Sequence, residues 1–87
     1  MIIYGPWVSI ELDATRPKWR QVAEILRARI ADGTYPPGSR IPAVVTLSAE
    51  FGIALVTAQK VTRALRDEGL IRTEIGMGSY VTGLPPR

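Results

Sequence analysis

Hydrophobic residues at three- and four-residue spacing predict a helix that begins near Pro17, because proline suits the first helical position. The inward stripe of this first helix is Trp19, Val22, Ala23, Leu26 and Ile30. The opposite face is predicted to carry solvated charges, at Arg20, Glu24, Arg27 and Asp32. Gly33 is expected to end the helix in the left-handed conformation.

Two further helices are predicted on either side of Gly52. The shorter covers residues 43–51, and its apolar positions are Val44 or Val45, Leu47 and Ala49. The longer covers residues 55–68, with an inward stripe of Ala58, Val61, Thr62 and Leu65 and outward positions at Gln59, Lys60, Arg63 and Arg66. Two helices joined by a short turn that contains glycine are typical of a helix-turn-helix motif.

Alternation and turn residues predict the β-structure. In residues 7–12, Val8, Ile10 and Leu12 lie on one side of a short strand. Near the other end, two β-prone runs flank Gly76-Met77-Gly78 and predict a hairpin of residues 70–73 and 79–82. Arg40 and Ile41 are expected to pair briefly as a strand. The predicted fold class is mainly α with a small β-hairpin wing: a winged helix-turn-helix with a short N-terminal strand, in one domain of residues 1–83 (1–13 being the strand and its turn) followed by a tail at 84–87.

Composition excludes several function classes. The 87 residues include no cysteine and no histidine, so disulfide scaffolds, thiol catalysis and histidine bases are excluded. The acidic residues show no metal-ligand spacing. The sequence therefore predicts no enzyme, no cofactor and no metal site. Eleven basic residues against eight acidic ones give a net charge of +3, which favours an anionic partner weakly. Without a signal peptide or a long apolar run, we expect a cytoplasmic protein and no membrane partner.

Several stretches of the chain resemble one family. Residues 17–81 resemble the DNA-binding domain of GntR-type bacterial transcription regulators. The matching stretches are residues 21–27 (QVAEILR), 35–42 (YPPGSRIP), 47–53 (LSAEFGI), 65–71 (LRDEGLI) and 76–81 (GMGSYV). The resemblance implies a winged-helix regulator, acting as a homodimeric repressor on a palindromic double-stranded operator. The sequence indicates no particular small-molecule effector.

The chain departs from the family pattern where arginines are usual. Ala43, Val44, Val45 and Thr46 stand where members carry serine with acidic and basic residues. Ala54 and Leu55 replace a serine and an arginine at the start of the recognition helix. Gln59 and Met77 each stand at the position of a further arginine.

Ten residues are the resulting candidates for DNA contact: Arg40, Leu55, Val56, Thr57, Gln59, Lys60, Arg63, Gly76, Met77 and Gly78. Gln59 is expected to pair with adenine, and Leu55, Val56 and Ala58 to meet thymine methyl groups. Thr57, Lys60, Arg63, Arg40 and the wing amides are expected to contact phosphates. These residue types favour an operator rich in A·T pairs.

Two other functions fit the same sequence. Val44, Val45, Leu55, Val56 and Met77 are candidates for an apolar face, and such a face would suit a protein-interaction module. An architectural DNA-binding factor is the second alternative. Trp7 and Trp19 are predicted to lie in the core or in a dimer interface.

Overall fold

The computed structural model describes residues 12–83, in which three helices precede an antiparallel hairpin. These elements are α1 (Lys18–Ala31), α2 (Val44–Phe51), α3 (Leu55–Asp67), β1 (Ile71–Glu74) and β2 (Gly78–Val81). The predicted fold class is confirmed for this part of the chain. The predicted N-terminal strand and the tail at 84–87 lie outside the described residues, except that Leu12 is half-buried and belongs to no helix or strand.

The element boundaries differ from the predictions by about one residue. Pro17 is the N-cap of α1 and not its first helical residue. Ala43 is likewise the N-cap of α2, and α3 ends at Asp67 with Glu68 as its C-cap. The hairpin strands are each displaced by one position from the predicted runs. Gly33 adopts a φ of 87°, the left-handed conformation expected after α1.

One core joins the three helices and the hairpin. Leu26 of α1, Leu47 of α2 and Leu65 of α3 are fully buried in it, together with Leu70 just before β1. The prediction for the end of α2 was wrong at one position: Ala49 is exposed and Phe51 is buried instead. Because α2 is only eight residues long, its inward side consists of Leu47 and Phe51, with Val44 packed at the edge.

The turn between α2 and α3 is held by local hydrogen bonds. Gly52 has a φ of 64°, which favours glycine. The backbone N–H of Ile53 donates to the Ser48 carbonyl at 3.1 Å, and the Ser48 hydroxyl donates to the Ile53 carbonyl. The chain turns by 115° between the two helices, within the range of helix-turn-helix motifs.

The hairpin is attached to the segment that precedes α2. Its strands pair with Ile71 opposite Val81 and Glu74 opposite Gly78. Arg40 forms a β-bridge with Tyr80, as predicted, and the backbone N–H of Ile41 donates to the Ser79 carbonyl at 2.9 Å. The wing and the start of α2 are therefore linked through the backbone.

Two ion pairs connect α1 to its neighbours. Arg27 donates two hydrogen bonds to the Glu68 carboxylate, at 2.7 and 2.9 Å, so its prediction as a solvated charge was wrong. The bond to Glu68 raises the pKa of Arg27. Arg29 donates to Glu50 of α2 at 2.8 Å and to the Tyr35 hydroxyl at 2.8 Å. These contacts fix α1 against the ends of α2 and α3.

We expect Leu65→Ala to lower the free energy of unfolding by about 2–5 kcal/mol, because it opens a cavity at the centre of the core. Val45→Ala is the matched control, since Val45 is 68% exposed and its truncation should change stability by less than about 0.5 kcal/mol. Denaturant unfolding followed by circular dichroism measures both. Similar losses for the two variants would contradict this description of the core.

Candidate nucleic-acid interface

The outward side of α3 follows from its buried stripe. Ala58, Val61 and Leu65 have no exposed surface, so these side chains point into the core. Ala58 was expected to meet thymine methyl groups, and its complete burial rules out that role. Gln59 and Arg63 lie on the exposed side of the helix.

The first turn of α3 presents an apolar surface. Leu55 is 50% exposed and Val56 is 74% exposed, whereas Thr57 is half-buried. The N-cap Ala54 offers no side-chain oxygen, and its side chain makes no capping hydrogen bond. The end of α3 that helix-turn-helix proteins direct at DNA therefore carries aliphatic side chains and uncapped amides.

Lys60 lies on the flank of α3 that faces α1. Its ammonium nitrogen is 4.8 Å from the centroid of the Trp19 ring, and the Arg20 guanidinium is 5.7 Å from the same ring. Trp19 is partly buried against the core, as predicted. A phosphate contact by Lys60 would compete with this cation–π contact, which is worth about 0.5–1 kcal/mol at exposed sites.

The tip of the wing is also apolar. Met77 is 59% exposed, and its backbone N–H donates to the Glu74 carbonyl at 3.0 Å to close the turn. Ile75 is fully exposed beside it and was not among the candidates. The position of Ile75 within the Glu74–Gly78 turn was the sequence signal for its exposure, because a residue in such a turn lies away from the core.

A cleft of about 270 Å³ separates α3 from the wing. Its lining includes the candidate residues Arg40 and Gly78, and also Arg66, which the sequence placed only on the outward side of α3. Arg66 donates to the Thr73 hydroxyl at 3.1 Å. Among the lining residues within 12–83 there is no carboxylate, so the guanidinium groups of Arg40 and Arg66 carry the charge of this part of the cleft.

Gly78 allows Arg40 to occupy this position. A Cβ on Gly78 would lie 2.5 Å from Nε of Arg40, closer than any real contact. Gly78 also has a φ of 119°, which side chains rarely adopt. The paired glycines of the wing thus have different roles, because a Cβ on Gly76 would meet nothing within 4 Å.

The groups with shifted pKa values lie away from these surfaces. Hydrogen bonds from Thr15 and Thr34 lower the pKa values of Asp13 and Asp32, which flank α1. Within residues 12–83, no group of three metal-ligating side chains comes together. No single helix in the same range is long and apolar enough to cross a membrane.

Comparisons with known proteins agree with this geometry. The family model described as "Bacterial regulatory proteins, gntR family" matches residues 18–81. The mannosyl-D-glycerate transport/metabolism system repressor MngR of Escherichia coli K12 is 35% identical over 66 residues, which cover 76% of this chain and 28% of that protein. The histidine utilization repressor of Klebsiella aerogenes is 34% identical over 68 residues, which cover 78% of this chain and 28% of that protein. The chain thus spans just over a quarter of the length of these two relatives.

Solved structures give the same result. The DNA-binding domain of AraR in complex with operator ORX1 superimposes with a TM-score of 0.74 at 29% identity, covering 93% of each chain. A GntR family transcriptional regulator from Listeria monocytogenes gives a TM-score of 0.80 at 26% identity, covering 84% of this chain and 64% of that one. With its winged helix-turn-helix and a family match over most of its length, this chain belongs to the GntR family of DNA-binding transcription regulators.

Proposed function

We propose that this chain binds double-stranded DNA sequence-specifically, as a homodimeric transcriptional repressor acting on a palindromic operator in the cytoplasm. The observation that supports this most strongly is the exposed side of α3, set at 115° to α2 with Gln59 and Arg63 facing outward. Relatives named as repressors and AraR domains solved on operator DNA support the same function. The proposal assigns no catalytic activity, cofactor or metal to the chain.

In this proposal α3 enters the major groove by its N-terminal half. Gln59 lies one turn into the helix, where its amide can donate and accept with adenine. Arg63, one turn further, reaches the phosphate backbone. In the same proposal, Thr57 and the uncapped amides at the start of α3 contact a phosphate at the helix N-terminus.

Leu55 and Val56 determine the base preference of the first turn. They are exposed aliphatic groups at the helix end nearest the DNA, and the thymine 5-methyl is the apolar group that the major groove offers. Together with Gln59 they favour A·T pairs. Val45, Ile75 and Met77 are further exposed apolar side chains outside α3.

A homodimer matches the two-fold symmetry of the palindromic operator that we propose. Two copies related by a two-fold axis place their recognition helices one helical turn apart, so each half-site receives one α3. Selection of binding sites from random duplexes tests sequence-specific binding and gives the operator. Sedimentation of the complex then counts two chains per selected duplex, and a promoter fusion that is silenced by the chain shows repression.

Gln59→Ala is expected to relax specificity at one base-pair position. The cost on the selected operator is about 1–3 kcal/mol, with little change on scrambled DNA, because only the base contact is lost. Lys60→Ala is expected to weaken binding to both duplexes by a similar factor. It should also lower the slope of log affinity against log salt concentration by about one. Fluorescence anisotropy on both duplexes measures these effects. An equal loss on both duplexes for Gln59→Ala would show that Gln59 does not contact a base.

Replacing thymine by uracil in the selected operator tests the roles of Leu55 and Val56. Removal of the 5-methyl group should weaken binding at one or two positions per half-site and leave the hydrogen-bonding edges intact. Leu55→Ala/Val56→Ala should bind the thymine and uracil duplexes equally. The matched control is Val45→Ala, which changes an exposed valine outside α3 and should keep the preference for thymine. If uracil has no effect at any position, the aliphatic side chains do not meet thymine.

A protein-interaction module remains the second candidate, because Leu55, Val56, Ile75 and Met77 are exposed at the ends of α3 and the wing. Salt-dependent binding to duplex DNA separates the two functions. A log–log slope near zero, or no binding at low salt, would favour the protein partner. Operator binding without any change in transcription would instead favour an architectural DNA-binding factor.

A further inference from the structure

Four of the eight arginines in the described part of the chain are neutralised by a neighbouring carboxylate. Arg16 pairs with Glu24, Arg27 with Glu68, Arg29 with Glu50 and Arg72 with Glu74. Arg20, Arg40, Arg63 and Arg66 form no ion pair within residues 12–83. Arg20 lies over Trp19 on α1, and Arg63 lies on the outer side of α3. The remaining two line one cleft.

The cleft has the chemical character of an anion site. Besides Arg40 and Arg66, its lining includes three residues with hydroxyl groups, Thr62, Thr73 and Ser79, and the apolar residues Ile41, Pro42, Ala43 and Val44. The Thr62 hydroxyl already donates to the Gln59 carbonyl at 3.0 Å. The Thr73 and Ser79 oxygens are 3.1 Å apart, and Arg66 donates to the first of them. Charged donors beside neutral hydroxyls, with no carboxylate among the described lining residues, suit a ligand that carries several acceptor oxygens and a negative charge.

We propose that Arg40 and Arg66 together hold one phosphodiester of the bound DNA, on the strand that runs between α3 and the wing. This inference rests on the proposed function, because it takes α3 to lie in the major groove. The backbone that borders this groove must then pass between α3 and the wing, where the cleft lies. A guanidinium matches the oxygens of a phosphodiester with two parallel hydrogen bonds.

Arg66→Gln should lower the slope of log affinity against log salt by about one per bound chain, because one phosphate contact is lost. Affinity for the selected operator and for scrambled DNA should fall by a similar factor, about tenfold. Arg16→Gln is the matched control: it removes the same charge, but Arg16 pairs with the exposed Glu24 of α1. Its slope should equal that of the unaltered chain.

A second pair of variants separates the charge of Arg66 from its hydrogen bond to the wing. Thr73→Val removes that bond and keeps the guanidinium, so the salt slope should not change. Arg66→Lys should keep the slope and recover part of the affinity. If Thr73→Val lowers affinity as much as Arg66→Gln, and both keep the original slope, Arg66 only positions the wing and the inference is overturned.

Neutral methylphosphonates placed one at a time along the operator locate the contact. At one position per half-site, the substitution should lower the affinity of the unaltered chain about tenfold. The same substitution should cause no further loss of affinity in Arg66→Gln. Additive losses at every position would overturn the assignment. Thermal unfolding with inorganic phosphate at constant ionic strength tests the other source of the anion. If phosphate stabilises the unaltered chain but not Arg66→Gln, and Arg66→Gln binds DNA normally, the cleft binds a free anion and not the DNA backbone.

Gly78→Ala tests the Arg40 half of the cleft. The added Cβ should displace the guanidinium and weaken DNA binding beyond the effect of the backbone strain. Gly76→Ala is the control for a side chain at positive φ, because its Cβ would meet nothing. Since the φ of Gly76 is 78° and that of Gly78 is 119°, the free energy of unfolding of both variants is measured as well, so that the difference in strain is subtracted. Equal losses of affinity would contradict the role of Arg40. If the unaltered chain binds no duplex at any salt concentration, the proposed function fails. If the unaltered chain binds the operator and Arg66→Gln binds it equally well, only the assignment of the cleft is overturned.

Discussion

The buried stripe of α3 is the constraint on which the rest of the structure depends. Ala58, Val61 and Leu65 have no contact with solvent. Truncation of a large buried side chain such as Leu65 lowers the free energy of unfolding by about 2–5 kcal/mol. The helix therefore has one rotational setting about its axis. That setting alone determines that Leu55, Val56, Gln59 and Arg63 face outward.

The ion pairs of α1 hold this helix to the ends of α2 and α3. Arg27 reaches the end of α3 through Glu68, and Arg29 reaches α2 through Glu50, each with roughly a quarter to a third of its side chain exposed. Partial burial limits screening by salt, and the two-pronged contact of Arg27 also fixes geometry. The opposite arrangement holds in the cleft, where Arg40 and Arg66 pair with no carboxylate of residues 12–83 and keep their charge available.

The sequence predicted the helices and the wing because their signals are local. Three- and four-residue spacing defined α1 and α3, and Gly52 with Ile53 defined the turn between α2 and α3. Ala49 was assigned to the core and Phe51 was missed, because an eight-residue helix has too few turns for its period to be read without knowing what it packs against. Arg27 was misassigned because its partner, Glu68, lies 41 residues away.

The candidate site was predictable in the same uneven way. Gln59 and Arg63 follow from the period of α3, and Leu55 and Val56 from their place in its first turn. The cleft does not follow, because Arg40, Arg66 and Thr73 come from three segments that meet only in the folded chain. The contact of Lys60 with Trp19 is equally non-local. This contact depends on the packing of α1 against α3, and the residue spacing within either helix does not predict that packing.

The backbone link between the wing and the segment before α2 has a consequence for the DNA. Hydrogen bonds from Gly38 to Val81, from Ile41 to Ser79 and from Val81 to Ser39 prevent the hairpin from moving independently of the helices. The separation between α3 and the wing is thus fixed before any duplex arrives. A duplex whose groove width differs from that separation has to bend or twist to fit, at a cost that depends on the stiffness of its base steps. Under the proposed function, base pairs that no side chain touches therefore also contribute to the choice of operator.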